Sequence, residues 1–159
     1  MDGMDGSRRK WVKNLCWVLG TVAVLYGMIY ADVVLRARES YLEGEKYMRW
    51  SEHPEEKKAE LDLGFEKSKT KLDRDLASGH IKKDEYDRRL EILQFDRSRK
   101  LEESSLKYAY VWYKTAYELF SPPESKWVRL SREKATIAKE KWKDELRAKK
   151  VPFEDYMLE

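Results

Sequence analysis

The sequence predicts an all-α protein: a single transmembrane helix continued by a stalk, an antiparallel helical hairpin or coiled coil, and a C-terminal helix with an extended tail. Three observations support this fold class. Residues 15–31 form an apolar run that contains no Asp, Glu, Lys, Arg or His. Charged side chains make up 40% of the chain, and all of them lie outside that run. Turn signals at Pro54, Gly79 and Pro122-Pro123 divide the charged part into helices.

The predicted transmembrane helix covers residues 11–35. Its charge-free part of about 17 residues corresponds to roughly 25 Å of helix, and extension through Leu35 reaches about 30 Å, the thickness of a bilayer core. Signal cleavage after Ala31 would place Ile29 at the −3 position, where a small residue is required. We therefore expect the mature protein to retain this helix as a membrane anchor.

Residues 1–10 form a short basic N-terminal tail before the predicted anchor. The segment SRRKWVK at residues 7–13 resembles the twin-arginine export signal of bacteria; an ordinary signal anchor with a basic flank is the alternative. Both interpretations place the N-terminus in the cytoplasm and the larger part of the chain in the periplasm, at the bacterial inner membrane. Arg36 and Arg38 follow the anchor closely and favour the opposite orientation.

Small residues recur along one face of the predicted anchor, at Gly20, Ala23, Gly27 and Ala31. This spacing allows a second transmembrane helix to approach closely, which favours helix packing in lipid. The alternative is that glycine and alanine are simply common in membrane spans. Cys16 is the only cysteine, so it is either a lipid-facing or packed thiol or the site of an intermolecular disulfide.

Residues 36–121 are predicted to form the stalk and the hairpin. The stalk continues the anchor without a break to about residue 50, and a second helix starts at Pro54, which suits a first helical turn. Gly79 ends that helix because glycine adopts the left-handed conformation that follows helices. A third, continuous helix is predicted over residues 83–120, with an imperfect heptad pattern that places Arg97 and Ser104 at seam positions.

The turn between the second and third helices has a recognisable pattern. Residues 72–93 contain a leucine before the turn, then Gly79, Ile81, the acidic-acidic-aromatic run ending at Tyr86, and Leu90 with Leu93. This segment resembles the SHOCT motif, a short helical hairpin found in bacterial proteins. The resemblance implies a hairpin, a bacterial origin and a link to oligomerisation, and it carries no information about catalysis.

Aromatic residues are densest at the end of the third predicted helix. If the stalk and second helix lead away from the membrane, the third helix returns over roughly 57 Å and brings its aromatic end beside the stalk, near the membrane surface. There it could pack on Tyr41, Tyr47 and Trp50, meet lipid headgroups, or bind a partner protein. The candidate partner-binding residues of this cluster are Tyr108, Tyr110, Trp112, Tyr113, Tyr117 and Phe120.

The C-terminal part, residues 122–159, is predicted to contain a fourth extramembrane segment and a docking tail. A helix starts at Ser125 or Ser131 and ends near Lys149. The tail beyond it is apolar and acidic, and it is either packed on the protein itself or a docking peptide for a larger partner. Its candidate partner-binding residues are Phe153, Tyr156, Met157 and Leu158.

No residue pattern indicates catalysis or cofactor binding. His53 and His80 lie at separate predicted turns, and no metal-ligand spacing, phosphate-binding loop or nucleophile motif occurs. The charge is mixed in sign, with 33 basic and 30 acidic residues, so no basic surface for nucleic acid is expected. We predict no catalytic residues, no metal, no cofactor and no small-molecule substrate.

These observations predict a non-catalytic, single-pass accessory or scaffolding subunit of a larger membrane protein complex, with a bacterial respiratory or energy-converting assembly as one host. Its expected partners are the lipid bilayer and other subunits. One alternative is a self-associating, membrane-anchored coiled coil that organises the cell envelope. A second alternative, suggested by the twin-arginine resemblance, is an exported protein that carries a cofactor.

Overall fold

The computed structural model describes the backbone of residues 3–158 and the side chains of residues 11–158. This part consists of helices joined by turns, with no strand, which confirms the predicted all-α class. The helices are α1 (Gly3–Glu52), α2 (Pro54–Ala77), α3 (Lys83–Glu102), α4 (Ser105–Leu119) and α5 (Lys126–Ala148), followed by a short 3₁₀ helix (Asp155–Leu158). The side chains of Arg8, Arg9 and Lys10, on which the twin-arginine resemblance depends, lie outside the described residues.

Local chemistry accounts for most helix ends. α1 is unbroken from the apolar run into the stalk, as predicted, and the chain resumes helix at Pro54, the first residue of α2. Gly79 has φ +73°, the left-handed conformation that ends α2. Ser125 caps α5, since its hydroxyl accepts a hydrogen bond from the Val128 amide at 3.3 Å.

The prediction of one continuous helix over residues 83–120 is wrong. α3 ends at Glu102, and Ser104 adopts an extended conformation (φ −63°, ψ 120°) as the N-cap of α4. Its hydroxyl accepts a hydrogen bond from the Lys107 amide at 3.2 Å. Serine satisfies a free amide at a helix start better than it fills a seam between helices, so the chain breaks at this point.

The C-terminal half of α1 forms a three-helix bundle with α4 and α5. α4 lies antiparallel to α1: Tyr108 stacks on Tyr47, with ring centroids 5.3 Å apart, and Tyr113 lies five residues further along α4 beside Tyr41. The predicted return of the aromatic segment to the stalk is therefore observed. The bundle buries small residues where its helices meet, including Ala37, Ala109, Ala116 and Ala138.

α5 lies parallel to α1 in a constant register. Arg38 lies over the ring of Trp127 at 5.7 Å, the Lys134 ammonium lies 3.1 Å from Glu45 Oε1, and the Lys141 ammonium lies 2.9 Å from Glu52 Oε1. Each pair is separated by 89 positions, and successive pairs are seven residues apart on both helices. A seven-residue repeat of this kind is the signature of coiled-coil packing.

α2 and α3 form the predicted antiparallel hairpin, which we call the arm. Tyr86 donates a hydrogen bond to Asp73 Oδ1 at 2.7 Å near the turn, and Arg97 Nη2 lies 2.5 Å from Asp62 Oδ1 further down. Arg97 thus occupies a position between the two helices, as its place in the heptad pattern predicts. Within the described residues, the arm meets the bundle only at its base.

A buried lysine joins the arm to the bundle. Lys57, in the first turns of α2, is 7% exposed and donates hydrogen bonds to the carbonyl oxygens of Leu101 at 3.2 Å and Glu103 at 2.6 Å. These carbonyls end α3, where a cation is favoured by the helix dipole. Burial lowers the pKa of Lys57, while Glu103 and Glu145 oppose that effect.

Candidate interaction surfaces

The N-terminal half of α1 is an apolar surface that nothing in the described chain covers. Every residue from Trp11 to Asp32 is exposed, Val33 is the first with partial burial, and Ala37 is fully buried in the bundle. The helix near the N-terminus is long and apolar enough to cross a membrane. We call residues 11–32 the apolar segment; it ends where the bundle begins.

The predicted packing face of the apolar segment is open. A Cβ atom on Gly20 or on Gly27 would meet no atom within 4 Å in the described chain, and Ala23 and Ala31 are exposed. Gly20 lies in a shallow groove together with Cys16, whose thiol is exposed. The four small residues are therefore positioned along one bare helix, available to lipid or to another helix.

Two of the predicted partner-binding aromatics are core residues. Tyr113 is fully buried, and its hydroxyl donates a hydrogen bond to Glu45 Oε1 at 2.6 Å. Tyr110 is 7% exposed and packs on Trp142, with ring centroids 6.1 Å apart. The expectation that these two rings are surface for a partner is corrected, because α1 covers Tyr113 and Trp142 of α5 packs on Tyr110.

Four other aromatics of this cluster lie at the edges of the bundle, each partly buried. Tyr108 stacks on Tyr47 and donates a hydrogen bond to Glu103 Oε2 at 2.9 Å. Tyr117 packs against the core under the guanidinium of Arg132, which lies 5.8 Å from the ring centroid. Trp112 and Phe120 complete the group.

The pKa shifts of the aromatic cluster follow from the packing of its tyrosines. Burial raises the pKa of Tyr113, and the hydrogen bond to Glu45 raises it further. Burial also raises the pKa of Tyr117. Both effects keep the phenol protonated, so these tyrosines act as buried donors or packing groups.

The C-terminal tail is docked on the bundle. Leu158 is 5% exposed and belongs to the main core, against which Phe153 also packs. Asp155 forms an ion pair with Lys143 at 2.9 Å, which lowers the pKa of Asp155. Tyr156 and Met157 remain exposed, at 70% and 57%. Leu158 is thus a core residue, whereas the prediction placed it at a partner surface.

The arm carries apolar surface that the heptad pattern did not identify as a site. Leu63, Ile92 and Phe95 are 56%, 65% and 69% exposed. A groove runs beside Ile92 along the junction of α2 and α3. Its apolar and small lining residues are Leu61, Gly64, Phe65, Ser68, Leu72 and Leu93.

A sequence signal for this arm surface does exist. Phe95 lies two residues before the seam position Arg97 and Ile92 lies five before it, so neither falls on the seven-residue repeat that faces α2. Two helices cannot cover such off-seam side chains. A thin hairpin with apolar residues outside its seam therefore predicts exposed apolar surface.

The described residues contain no group of three His, Cys, Asp or Glu side chains placed to hold a metal ion. His53 Nδ1 lies 3.2 Å from Glu55, and His80 Nδ1 lies 2.5 Å from the Ser78 hydroxyl, each at an exposed helix end. These contacts belong to the turns themselves.

Comparison with protein-family models, with curated proteins and with solved structures finds no match to this chain. Across residues 3–158 the protein is all-helical, and that part of the chain contains one exposed helix of membrane-spanning length and composition.

Proposed function

We propose that this chain is a non-catalytic, single-pass membrane accessory or scaffolding subunit that binds and stabilises a larger membrane protein complex. The observation that carries the proposal is the apolar segment. Its residues are exposed from Trp11 to Asp32, and the same helix continues into a folded bundle. Transfer of this surface from water into a bilayer is strongly favourable, and it tethers the bundle and the arm at the membrane.

The arm supports the second part of the proposal, partner binding. The arm exposes Leu63, Ile92 and Phe95, and Ile92 lines the groove between α2 and α3. Exposed apolar surface of this kind is characteristic of protein interaction sites when it is gathered into a patch. A third helix packed into such a groove would complete a small helical bundle. The open face at Gly20 and Gly27 suits a transmembrane helix of the same complex.

We further propose that the protein resides in a bacterial inner membrane, with a cytoplasmic N-terminus and the bundle in the periplasm. The host complex is proposed to be a respiratory or energy-converting assembly. The basic flank before the anchor, the twin-arginine resemblance and the SHOCT-like hairpin support this location.

Purification of the full chain from its native membrane in mild detergent tests the proposed function. We expect other membrane proteins, the remaining subunits of the complex, to co-purify with the chain at fixed stoichiometry. The double variant Ile92→Ser, Phe95→Ser is expected to purify without them. Ile137→Ser is the matched control, because Ile137 is also partly exposed but lies on α5. A homo-oligomer free of other subunits would instead establish the self-associating coiled coil and refute the proposal.

Thiol labelling tests the proposed orientation. Single cysteines at His80 and at Ser7, in a Cys16→Ser background, are exposed to a membrane-impermeant reagent in intact cells. Labelling at position 80 with protection at position 7 agrees with a periplasmic bundle. The reverse pattern contradicts it.

A further inference from the structure

The bundle begins where the apolar segment ends, with no spacer between them. Arg38 lies seven residues beyond Ala31 and three beyond Leu35, so it lies roughly 5–10 Å past the end of the apolar helix at 1.5 Å per residue. Arg38 contacts Trp127, which places the first turn of α5 at the same height. That height corresponds to the headgroup layer of a bilayer, which is about 5–8 Å thick on each side.

The C-terminus of α4 reaches at least as far toward the apolar segment. Tyr113 packs against Gly44 and Tyr41, and α4 continues antiparallel to α1 for six more residues, or about 9 Å, to Leu119. Leu119 is thus level with residues 35–38 of α1. We call residues 32–38 together with residues 119–129 the membrane-facing end of the bundle.

Apolar side chains of the membrane-facing end are exposed. Leu119 is 71% exposed and Leu35 is 56% exposed, both at the limit of the apolar segment. Phe120 is partly buried and Pro122 is exposed in the loop that follows. Leu35 lies on the same helix as the apolar segment and Leu119 lies level with residues 35–38, so exposed apolar side chains extend from the apolar segment onto this end of the bundle.

The membrane-facing end also carries the cations Arg36, Arg38, Lys126 and Arg129. Its carboxylates are Asp32, which is paired with Arg36 at 2.8 Å, and Glu124, and Glu39 and Glu118 flank it. Lys126 and Arg38 lie over the Trp127 ring at 5.4 and 5.7 Å, and neither has a carboxylate within 4.0 Å among the described residues. Tryptophan with adjacent cations is the composition of membrane-interface anchors.

We propose that the membrane-facing end lies directly on an anionic phospholipid surface, with Leu119 at the boundary of the acyl region and Lys126 and Arg129 against lipid phosphates. The inference rests on the membrane anchoring proposed above. In this arrangement the bundle contacts the bilayer surface directly, so the protein touches lipid through the bundle as well as through the apolar segment. Each cation near such a surface contributes favourable electrostatic energy, which falls off within a Debye length.

The test uses the full chain in nanodiscs containing headgroup-nitroxide lipids. A fluorophore is attached to a single cysteine at Leu119, in a Cys16→Ser background. Strong nitroxide quenching is expected at Leu119, and little at Tyr156 and Ser78, which lie at the far end of the bundle and at the tip of the arm. Quenching at Leu119 no stronger than at Tyr156 would overturn the proposal.

A label at Val24 separates this inference from the anchor itself. Quenching at Val24 by lipids that carry the nitroxide deep in the acyl chain, without quenching at Leu119, means that the anchor is correct and the seating of the bundle is not. Absence of quenching at both positions refutes the anchor as well.

The lipid charge is tested with the double variant Lys126→Gln, Arg129→Gln. In the parent protein, quenching at Leu119 is expected to increase as anionic lipid replaces neutral lipid. In the variant, the equilibrium constant for contact between the bundle and the lipid surface is expected to fall roughly fivefold for each cation removed. The control variant Lys67→Gln, Lys69→Gln removes two cations from the arm and should change nothing. An equal response of both variants would contradict the assignment of the lipid-binding cations.

Discussion

Gly44 and Tyr113 are in direct contact across the bundle: a Cβ atom on Gly44 would lie 2.5 Å from Cε1 of the Tyr113 ring. The absence of a side chain on α1 therefore provides the space that the ring of α4 fills. The ring is fully buried there, and its hydroxyl reaches Glu45 on the next position of α1. This contact fixes the distance between the two helices at the centre of the core.

Gly44→Ala is expected to destabilise the bundle by about 1–3 kcal/mol, because the added methyl group overpacks a rigid aromatic contact. Gly64→Ala is the control, since a Cβ atom there meets no atom within 4 Å of the described chain. Replacement of a glycine by alanine in an exposed helix should stabilise the folded protein by about 0.5–1 kcal/mol. Thermal unfolding of both variants measures the difference, and equal shifts in the same direction would show that the ring contact is unimportant.

Tyr113→Phe is expected to reduce the loss of stability at alkaline pH. Burial raises the pKa of Tyr113 above its ordinary value of 10.0. Above pH 10 the unfolded chain releases this proton and the folded chain keeps it. The stabilisation is therefore complete below pH 10 and is lost as pH rises, by up to about 1.4 kcal/mol per pH unit. Unfolding measured between pH 8 and about 11.5 should give a shallower decline for Tyr113→Phe, while Tyr156→Phe, at an exposed ring, should decline like the parent.

Lys57→Ala is expected to loosen the junction between arm and bundle. It leaves the Leu101 and Glu103 carbonyls without their donor, at a cost of about 1–3 kcal/mol. Hydrogen exchange should accelerate at the end of α3 and the start of α4, with little change at the tip of the arm. Lys58→Ala, one residue along and exposed, serves as control. Unchanged exchange in Lys57→Ala would rule out a locking role for this lysine.

Leu158→Ala is expected to release the tail and to lower the free energy of unfolding by about 2 kcal/mol. This is the lower end of the range for a buried leucine, because a terminal turn can relax into the space. Met157→Ala, at the neighbouring exposed position, should be close to neutral. Limited proteolysis between residues 149 and 157 reports the state of the tail. Equal protease sensitivity of the two variants and the parent would mean that the tail is not held by Leu158.

Features with a local cause were predictable from the sequence. The unbroken α1, the start of α2 at Pro54 and the turn at Gly79 all depend on neighbouring residues, as does the start of α5 after Ser125, the first of the two predicted starts. The heptad pattern correctly placed Arg97 between the two helices of the hairpin. Each of these features involves a few adjacent positions or a repeated spacing along one helix.

Features that depend on distant parts of the chain were not predictable in the same way. The burial of Tyr110 requires α5 to bring Trp142 against it, the burial of Tyr113 requires α1 to bring Gly44 and Tyr41 against it, and the burial of Leu158 requires the tail to fold back onto that same core. The break at Ser104 is also tertiary in part, because its hydroxyl is hydrogen-bonded to Glu145 on α5 at 2.5 Å. Periodicity along one helix contains no information about which neighbour will cover it.

The hairpin register has a consequence for the architecture as a whole. Asp62 pairs with Arg97 and Asp73 pairs with Tyr86, so the numbers of the paired residues have the same sum, as in a regular antiparallel hairpin. The arm leaves and rejoins the bundle at one point, which Lys57 holds together. Removal or insertion of seven residues in α2 and seven at the matching level of α3 would keep both the register and the facing sides of the helices, and so preserve the remaining cross-pairs. The reach of the protrusion can therefore be adjusted, in evolution or by design, without altering the scaffold on which it is mounted.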